Sequence, residues 1–416
     1  MTIIMKHCLP YLLLFLLISG CNRAQQPSTP AGNDATVVIY APLPVKKAIN
    51  KKVFAHLMPW FETKATNNSA GAWGIHWTMA NQNPDVMNAD GRRQVATYYY
   101  PLTGPYASAD PAIIEYQLLL MKLSGIDGVF IDWPGTINLY DYPKNLANSE
   151  KIIAQLAKAG LTYAIVYEDQ NINIAYNKGA ITDKIATAQN DMRYLEKNYF
   201  ANSNYEKLNN QPLLLVFGPQ TFTSAAEWAS VFAVFTTKPA FCTLWTFSSK
   251  AGNAATGEFA WINADNTASL QNFYGNNYSG IKISAAYPGF RAFYAQGGWP
   301  GPAFVIDANG AGNFQTTLDL ALQSNAGYVQ LPTWNDYGEG TMIEPTVEFK
   351  YSLLTTLQQK LGVQLTQTHL EMVSNLYTNR NKYAGDTAIQ KKLDQVYYYM
   401  VSMQMDKAAT LLSSIK

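Results

Sequence analysis

The chain has few cysteines, and those it has are placed so that disulfide bonds cannot stabilise its main part. Of three cysteines among 416 residues, Cys8 and Cys21 lie within the first 21 residues. Only Cys242 remains beyond them, so no intrachain disulfide is possible there. Cys242 stands in an apolar segment, which predicts a buried strand position rather than a nucleophile.

An excess of basic charge is also absent. Lysine and arginine together number 30 against 29 acidic residues, and no basic stripe occurs, which excludes a nucleic-acid partner. The chain has no G-x-S-x-G, no Walker glycine loop and no H-x-x-x-H, so no cofactor and no metal site are expected. Residues 307–310 match only a fragment of a calcium loop, and a turn is the better interpretation.

The first 45 residues predict a targeting segment and a linker. Lys6 precedes an apolar run at residues 9–18, which is shorter than the about 20 residues that span a bilayer. The run ends in Leu-Ile-Ser-Gly-Cys, which resembles a bacterial lipobox with Cys21 as the lipidated residue; an ordinary secretory peptide is the alternative. We therefore expect a lipoprotein signal peptide at 1–21, a flexible tether at 22–45 and a bacterial cell-envelope location, anchored to the membrane.

Apolar runs alternate with helical patterns along the rest of the chain, which predicts a parallel sheet. The fold class is therefore α/β, and eight candidate strands favour a (β/α)8 TIM barrel at 46–347 with a C-terminal helical cap at 348–416. An open doubly wound sheet is the competitor, but no G-x-G-x-x-G follows the first strand. The candidate strands are residues 53–58, 128–132, 162–167, 212–217, 241–246, 259–262, 282–286 and 327–331.

The segment at residues 331–341 is the most informative for chemistry. A buried strand ends there in aromatic residues, an amide, glycines and two acids, Asp336 and Glu339. Hydrolysis of an acetal needs one protonated and one ionised carboxyl group held close together. A polar loop with two solvated acids is the plain alternative. The 27 tyrosines and 9 tryptophans add modest support for carbohydrate, because flat rings with a polar edge match sugar faces.

Further polar and aromatic residues follow the predicted strands, whose carboxyl ends meet on one face of a barrel. A long segment at 71–105 after the first strand is expected to contribute to the same face. Each residue has a plain alternative, such as a cap, a loop ion pair or a packed ring. The candidate substrate-binding residues are His56, Trp60, His76, Trp77, Asp132, Tyr167, Glu168, Trp245, Trp334 and Asn335.

Three blocks, at residues 55–61, 125–133 and 333–345, resemble glycoside hydrolase families 71 and 99. The resemblance covers residues 53–346 and implies a (β/α)8 barrel that cleaves α-linked glycans, usually internally. The family 99 motif N-E-x-x-E-G-T matches Asn335, Glu339, Gly340 and Thr341, with Asp336 in place of the first glutamate. The family 71 motif W-N-D-x-G-E matches residues 334–339. His56 is a second departure, since family 99 often has tyrosine there.

The two families imply different substrates and mechanisms. Family 99 comprises endo-α-mannosidases and endo-α-mannanases that retain configuration, whereas family 71 comprises α-1,3-glucanases regarded as inverting. Aspartate is one methylene shorter than glutamate and leaves more room for a water molecule, so we favour inversion. The resulting hypothesis is a monomeric, endo-acting α-glycosidase on α-mannan or α-glucan, with Glu339 as acid and Asp336 as base. A non-catalytic glycan-binding lipoprotein is the alternative, and a structural envelope protein is a third.

We predict that Cys21→Ser abolishes incorporation of radiolabelled palmitate and releases the protein from the membrane fraction, because a thioether to lipid requires that sulfur. Cys8→Ser is the matched control and should leave labelling intact. Equal labelling of wild type and Cys21→Ser would exclude Cys21 as the lipidated residue.

Overall fold

Eight parallel strands form a closed barrel, which confirms the predicted (β/α)8 architecture. The computed structural model describes residues 36–67 and 71–415. Within these residues, each barrel strand pairs with the next, and the eighth pairs with the first, so the barrel has no open edge. The strands are β1 (Lys52–Leu57), β2 (Gly128–Trp133), β3 (Thr162–Tyr167), β4 (Gln211–Val216), β5 (Ala240–Leu244), β6 (Gly257–Phe259), β7 (Ile281–Ala285) and β8 (Tyr328–Leu331).

Seven predicted strands overlap the observed ones closely, and the sixth lies earlier than predicted, at Gly257–Phe259 instead of 259–262. The apolar pattern misses its start because Glu258 stands in the middle of the strand. That carboxylate is buried and accepts a hydrogen bond from the backbone N–H of Ser248 at 3.0 Å. Cys242 in β5 is buried and free, as predicted.

Helices cover the outside of the barrel between the strands, and four more follow β8. No helix of the described residues is long and apolar enough to cross a membrane. The α-helices are Ile75–Thr78, Pro111–Leu123, Tyr142–Ala159, Gln170–Asn177, Lys184–Leu195, Ala225–Phe232, Ser248–Ala251, Thr267–Gly275, Tyr294–Gly297, Gly312–Gln323, Ser352–Leu361, Gln367–Lys382, Thr387–Val401 and Met405–Ser413. Short antiparallel pairs join Lys207–Leu208 to β4 and Phe290–Arg291 to Val305–Ile306.

Side-chain alternation in the strands separates the barrel interior from its helical coat. The rings of Phe54 in β1 and Phe130 in β2 stack with centroids 4.6 Å apart and fill the interior. Two residues further along the same strands, His56 and Asp132 point the same way and form the floor of a cleft. The strands thus bring polar side chains to the carboxyl end of a packed core.

The C-terminal helices pack on the outer layer of the barrel. Arg380 in Gln367–Lys382 donates two hydrogen bonds of 2.9 Å to the carboxylate of Glu115 in Pro111–Leu123. The N-terminal segment joins them, since the N–H of Leu43 donates to the carbonyl of Val401 at 2.9 Å. The folded body therefore begins before residue 46, where the sequence analysis starts the barrel. The predicted signal peptide, Cys21 and residues 22–35 lie outside the described residues.

Gly128, the first residue of β2, has no room for a side chain. A Cβ atom there would lie 2.5 Å from both the Phe54 ring and the carbonyl oxygen of Thr162. We predict that Gly128→Ala lowers the free energy of unfolding by about 1–3 kcal/mol, the usual effect of overpacking a core. Gly327→Ala, whose Cβ would meet nothing within 4 Å, should change it by less than about 0.5 kcal/mol. Denaturant unfolding measures both, and equal effects would contradict the prediction.

Candidate active site

A cleft of about 960 Å³ opens at the carboxyl ends of the barrel strands. The long segment after β1 supplies part of its wall through Trp73, Ile75 and Met79, as the sequence analysis expects of that segment. The cleft brings together seven of the residues predicted for the site: His56, Trp60, His76, Asp132, Glu168, Asp336 and Glu339.

Asp336 and Glu339 lie on one loop that folds back on itself after β8. The backbone N–H of Asp336 donates to the hydroxyl of Thr333 at 2.7 Å, and that hydroxyl lies 2.9 Å from the hydroxyl of Thr341. The N–H of Glu339 donates to Oδ1 of Asp336 at 3.0 Å. These bonds hold the two carboxyl groups on the same wall of the cleft.

The two carboxyl groups differ in their affinity for a proton. Burial raises the pKa of Asp336 to about 6, and the N–H bond from Glu339 limits the rise because it favours the ionised form. Burial and the negative charge of Asp336 together raise the pKa of Glu339 to about 8. At neutral pH, Asp336 is therefore the carboxylate and Glu339 the carboxylic acid, which is the division of roles that acid/base chemistry needs.

The segment after β7 braces this loop, and the sequence analysis missed it. The N–H groups of Arg291 and Phe293 donate to the carbonyls of Glu339 and Gly338 at 2.9 and 2.8 Å. The hydroxyl of Tyr294 donates to Oε1 of Glu339 at 2.9 Å and lies in the cleft. No motif marks Tyr294, but the length of the connection between β7 and Gly312–Gln323 is a signal that this segment builds a site.

A second pair of carboxyl groups lies in the same cleft. Asp132 ends the inward-facing side of β2, Glu168 follows β3, and their carboxyl groups hydrogen-bond to each other. Burial and the charge of Asp132 raise the pKa of Glu168 well above its usual range, while burial raises that of Asp132 to about 7. The pair therefore shares a proton at neutral pH. Nε2 of Gln170 donates to Glu168 at 2.6 Å.

Aromatic rings form another part of the cleft lining. The rings of Trp60 and His76 stack with centroids 4.2 Å apart and planes 5° apart, and Trp299 meets His76 edge-on at 6.2 Å. Nε2 of His76 lies 3.2 Å from Oδ2 of Asp141. Burial alone would raise the pKa of Asp141, but the bond and the charge of His76 outweigh it and lower that pKa. Trp299 and Asp141 line the cleft and are further residues that the sequence analysis missed.

His56 lies on the cleft floor as a neutral side chain. Burial lowers its pKa to about 3, because the charged imidazolium would lose its hydration. Its ring meets the ring of Trp261 edge-on with centroids 4.7 Å apart. Trp261 also lines the cleft, and was missed because it follows β6, the strand whose bounds the apolar pattern misplaced.

Two predicted binding residues, Tyr167 and Trp245, do not line the cleft. Side chains alternate along a strand, and these two fall on the side that faces the helices instead of the barrel interior. Tyr167 ends β3 facing the helices, where its hydroxyl donates to Oδ2 of Asp191 at 2.7 Å. Trp245 follows β5 and packs edge-on against Phe273 with centroids 5.6 Å apart. Neither ring lies where the sequence analysis expects it, at the surface of the cleft.

Three further predicted binding residues, Trp77, Trp334 and Asn335, are fully buried and do not line the cleft. Trp77 donates from Nε1 to the carbonyl of Tyr106 at 2.8 Å. Asn335 bonds to both backbone groups of Met58, receiving its N–H at 2.8 Å and donating to its carbonyl at 2.9 Å. These residues hold the loop after β8 against β1 and do not face a ligand. Across the described residues, no group of three or more His, Cys, Asp or Glu is placed to hold a metal ion.

Solved structures similar to this chain include those of a family 99 glycoside hydrolase. No family model matches the chain, and no curated protein matches it. The structure of the GH99 endo-alpha-mannosidase from Bacteroides thetaiotaomicron shares 16% identity at a TM-score of 0.58, covering 77% of this chain and 100% of that one. The same enzyme in complex with BIS-TRIS-Propane shares 17% at a TM-score of 0.56, covering 76% and 98%. A glycoside hydrolase-like protein shares 13% at a TM-score of 0.55, covering 77% and 97%. At these identities the likeness shows the (β/α)8 barrel fold of this chain.

Proposed function

We propose that the protein is an α-glycosidase that hydrolyses an α-linked polysaccharide or glycan, with Glu339 as the acid and Asp336 as the base. The observation that supports this most is the pair of carboxyl groups on one loop, one protonated and one ionised at neutral pH, in an open cleft. We infer attack within a glycan chain from the motif resemblance. α-Mannan and α-glucan are the candidate substrates.

The reaction divides between the two groups. Glu339 donates its proton to the glycosidic oxygen as the bond from that oxygen to the anomeric carbon breaks. Asp336 removes a proton from the attacking water, whose oxygen forms the new bond to the anomeric carbon. Oδ1 of Asp336 already accepts the N–H of Glu339, so Oδ2 is the atom that faces water. Attack by water inverts the configuration; removal of a proton from the sugar's own 2-hydroxyl is the retaining alternative.

The remaining cleft residues would bind the sugars on either side of the scissile bond. The stacked rings of Trp60 and His76 offer a flat apolar surface for the C–H faces of a pyranose. His56, Asp132 and Glu168 would accept hydrogen bonds from the hydroxyl groups around the edge of the sugar ring. We also infer that the chain acts as a monomer in the bacterial envelope, tethered through Cys21, on the basis of its N-terminal sequence.

We predict that Glu339→Gln and Asp336→Asn each lower kcat by about 10²–10⁴-fold, because each removes one proton-transfer group. The assay measures reducing ends released from α-mannan and from α-1,3-glucan. Glu371→Gln, an exposed substitution on Gln367–Lys382, is the control and should leave kcat unchanged. Full activity in Glu339→Gln would remove that residue from its role. Glycan binding by the wild type without product release would instead favour the non-catalytic binder.

We further predict that Tyr294→Phe raises the pKa of Glu339 above its wild-type value. The Tyr294 hydroxyl donates to the ionised carboxylate and so favours loss of the proton; removing that donor reverses the effect. Carboxyl carbon NMR of labelled glutamate measures the pKa without a substrate. In kinetics, the fall in rate above about pH 8 should move to higher pH.

Tyr140→Phe, which alters an exposed ring at the cleft rim, is the control for this titration and should leave the pKa of Glu339 in place. An unchanged or lower pKa in Tyr294→Phe would contradict the role assigned to its hydroxyl.

A further inference from the structure

The cleft has many more acidic than basic side chains. Lys144 is the only lysine or arginine among its described lining residues. Six carboxyl side chains line the same space: Glu62, Asp132, Asp141, Glu168, Asp336 and Glu339. An anionic sugar, such as a uronate or a sulfated or phosphorylated residue, would meet repulsion on almost every side.

Lys144 and His76 are each already paired with an acidic side chain outside the second carboxyl pair. Nζ of Lys144 lies 3.8 Å from Oε2 of Glu62, and His76 is bonded to Asp141. Asp132 and Glu168 bond to each other, and no described residue gives either of them a cationic partner. Acid/base catalysis uses Asp336 and Glu339, so it does not account for this second pair.

Among the described residues that line the cleft, three buried polar atoms accept or donate no hydrogen bond, although one of them, Oε2 of Glu62, lies 3.8 Å from Nζ of Lys144. Oε2 of Glu62, Oδ1 of Asn145 and Nδ1 of His56 belong to residues that are 3%, 6% and 1% exposed. The amide nitrogen of Asn145 is engaged with Asp141, which leaves its oxygen free. His56 is neutral, so one of its ring nitrogens donates and the other accepts, and Nδ1 is the nitrogen without a hydrogen bond. The two oxygens can only accept, and a buried acceptor without a hydrogen-bond donor is unfavourable, so this surface fits a ligand that brings donors.

We propose that the substrate is a glycan with a protonated amino group, and that Asp132 and Glu168 bind this group between them. The proposal rests on the proposed function and names its substrate class. An ammonium group offers three donors and one positive charge to two adjacent carboxyl groups that lack a cation. A hydroxyl group supplies one donor and no charge, so it leaves the repulsion between the carboxyl groups, and between them and Asp336, unrelieved.

Binding should release one proton. Before binding, Asp132 and Glu168 hold one proton and one negative charge between them; afterwards the ammonium lies between two carboxylates, and the displaced proton passes to the buffer. The charged groups that face the pair are Asp336 and Asp141 beside Asp132, and Asp169 beside Glu168. All three are acidic, so none of them supplies the missing positive charge.

The test is isothermal titration calorimetry on the Glu339→Gln variant of the full chain, so that binding is measured without turnover. The probes are the methyl α-glycosides of 2-amino and 6-amino glucose and mannose, each matched with its hydroxyl and N-acetyl counterpart, in EDTA to exclude metal ions. We expect one amino compound to bind at least about tenfold more tightly than its counterparts, the usual value of a hydrogen bond to a charged group. Repeating the titration in buffers of different ionisation enthalpy should show release of about one proton.

Substitutions locate the effect. In the Glu339→Gln background, Asp132→Asn and Glu168→Gln should each remove the preference and the proton release, whereas Asp141→Asn, a carboxyl group already paired with His76, should keep both. Equal affinity for amino and hydroxyl compounds, tighter binding of the N-acetyl compounds, absence of proton release, or no binding of any amino compound would each overturn the proposal. The proton release is measured with Asp132 and Glu168 intact, so the test stands even where a substituted chain fails to fold.

The outcomes separate this proposal from the proposed function. Cleavage of a neutral glycan by the wild type, without a preference for amino compounds, would contradict only the proposed substrate class. A preference for amino compounds with no cleavage of any glycan, amino-substituted ones included, would support the binding site and contradict the proposed enzymatic function.

Discussion

The chemistry of this molecule depends on one constraint: a carboxyl group that is shielded from water needs more free energy to ionise. Packed rings of Phe54 and Phe130 fill the barrel below the cleft, so water reaches the acids from one side only. Under those conditions small differences in hydrogen bonding decide which acid keeps its proton. Asp336 receives a backbone N–H and ionises first, and its charge then keeps the proton on Glu339.

Behind the cleft, a set of buried hydrogen bonds keeps that arrangement rigid. Glu344 accepts from the hydroxyls of Tyr106 and Tyr337 at 2.7 and 2.8 Å and from Gln117 at 2.8 Å. Tyr106 also receives a bond from Asn335, which in turn holds Met58 at the end of β1. The residues around Asp336 therefore have two kinds of role: some face the ligand, and others fix the loop so that the acids keep their separation.

The fold and the site carry different weight as evidence of function. At 13–17% identity, the likeness to glycoside hydrolases establishes the barrel and leaves the substrate to the side chains. Two of those side chains, His56 and Asp132, stand on the cleft floor, one neutral and one acidic. Together with the scarcity of basic residues in the cleft, they make it a surface for donors, which is a property of this chain's own residues.

The sequence by itself determined the barrel and the presence of two neighbouring acids on the loop after its eighth strand. Strands buried on both sides read as apolar runs, and Asp336 and Glu339 are three residues apart on one loop, so local pattern was enough. Tertiary structure decided the rest. Tyr167 is the last residue of β3 and Glu168 follows it, yet the alternation of side chains turns Tyr167 toward the helices and Glu168 into the cleft. Tyr294 reaches Glu339 from 45 positions away, and Asp132 meets Glu168 across two strands. Such contacts depend on the register and closure of the barrel, which no short stretch of sequence contains.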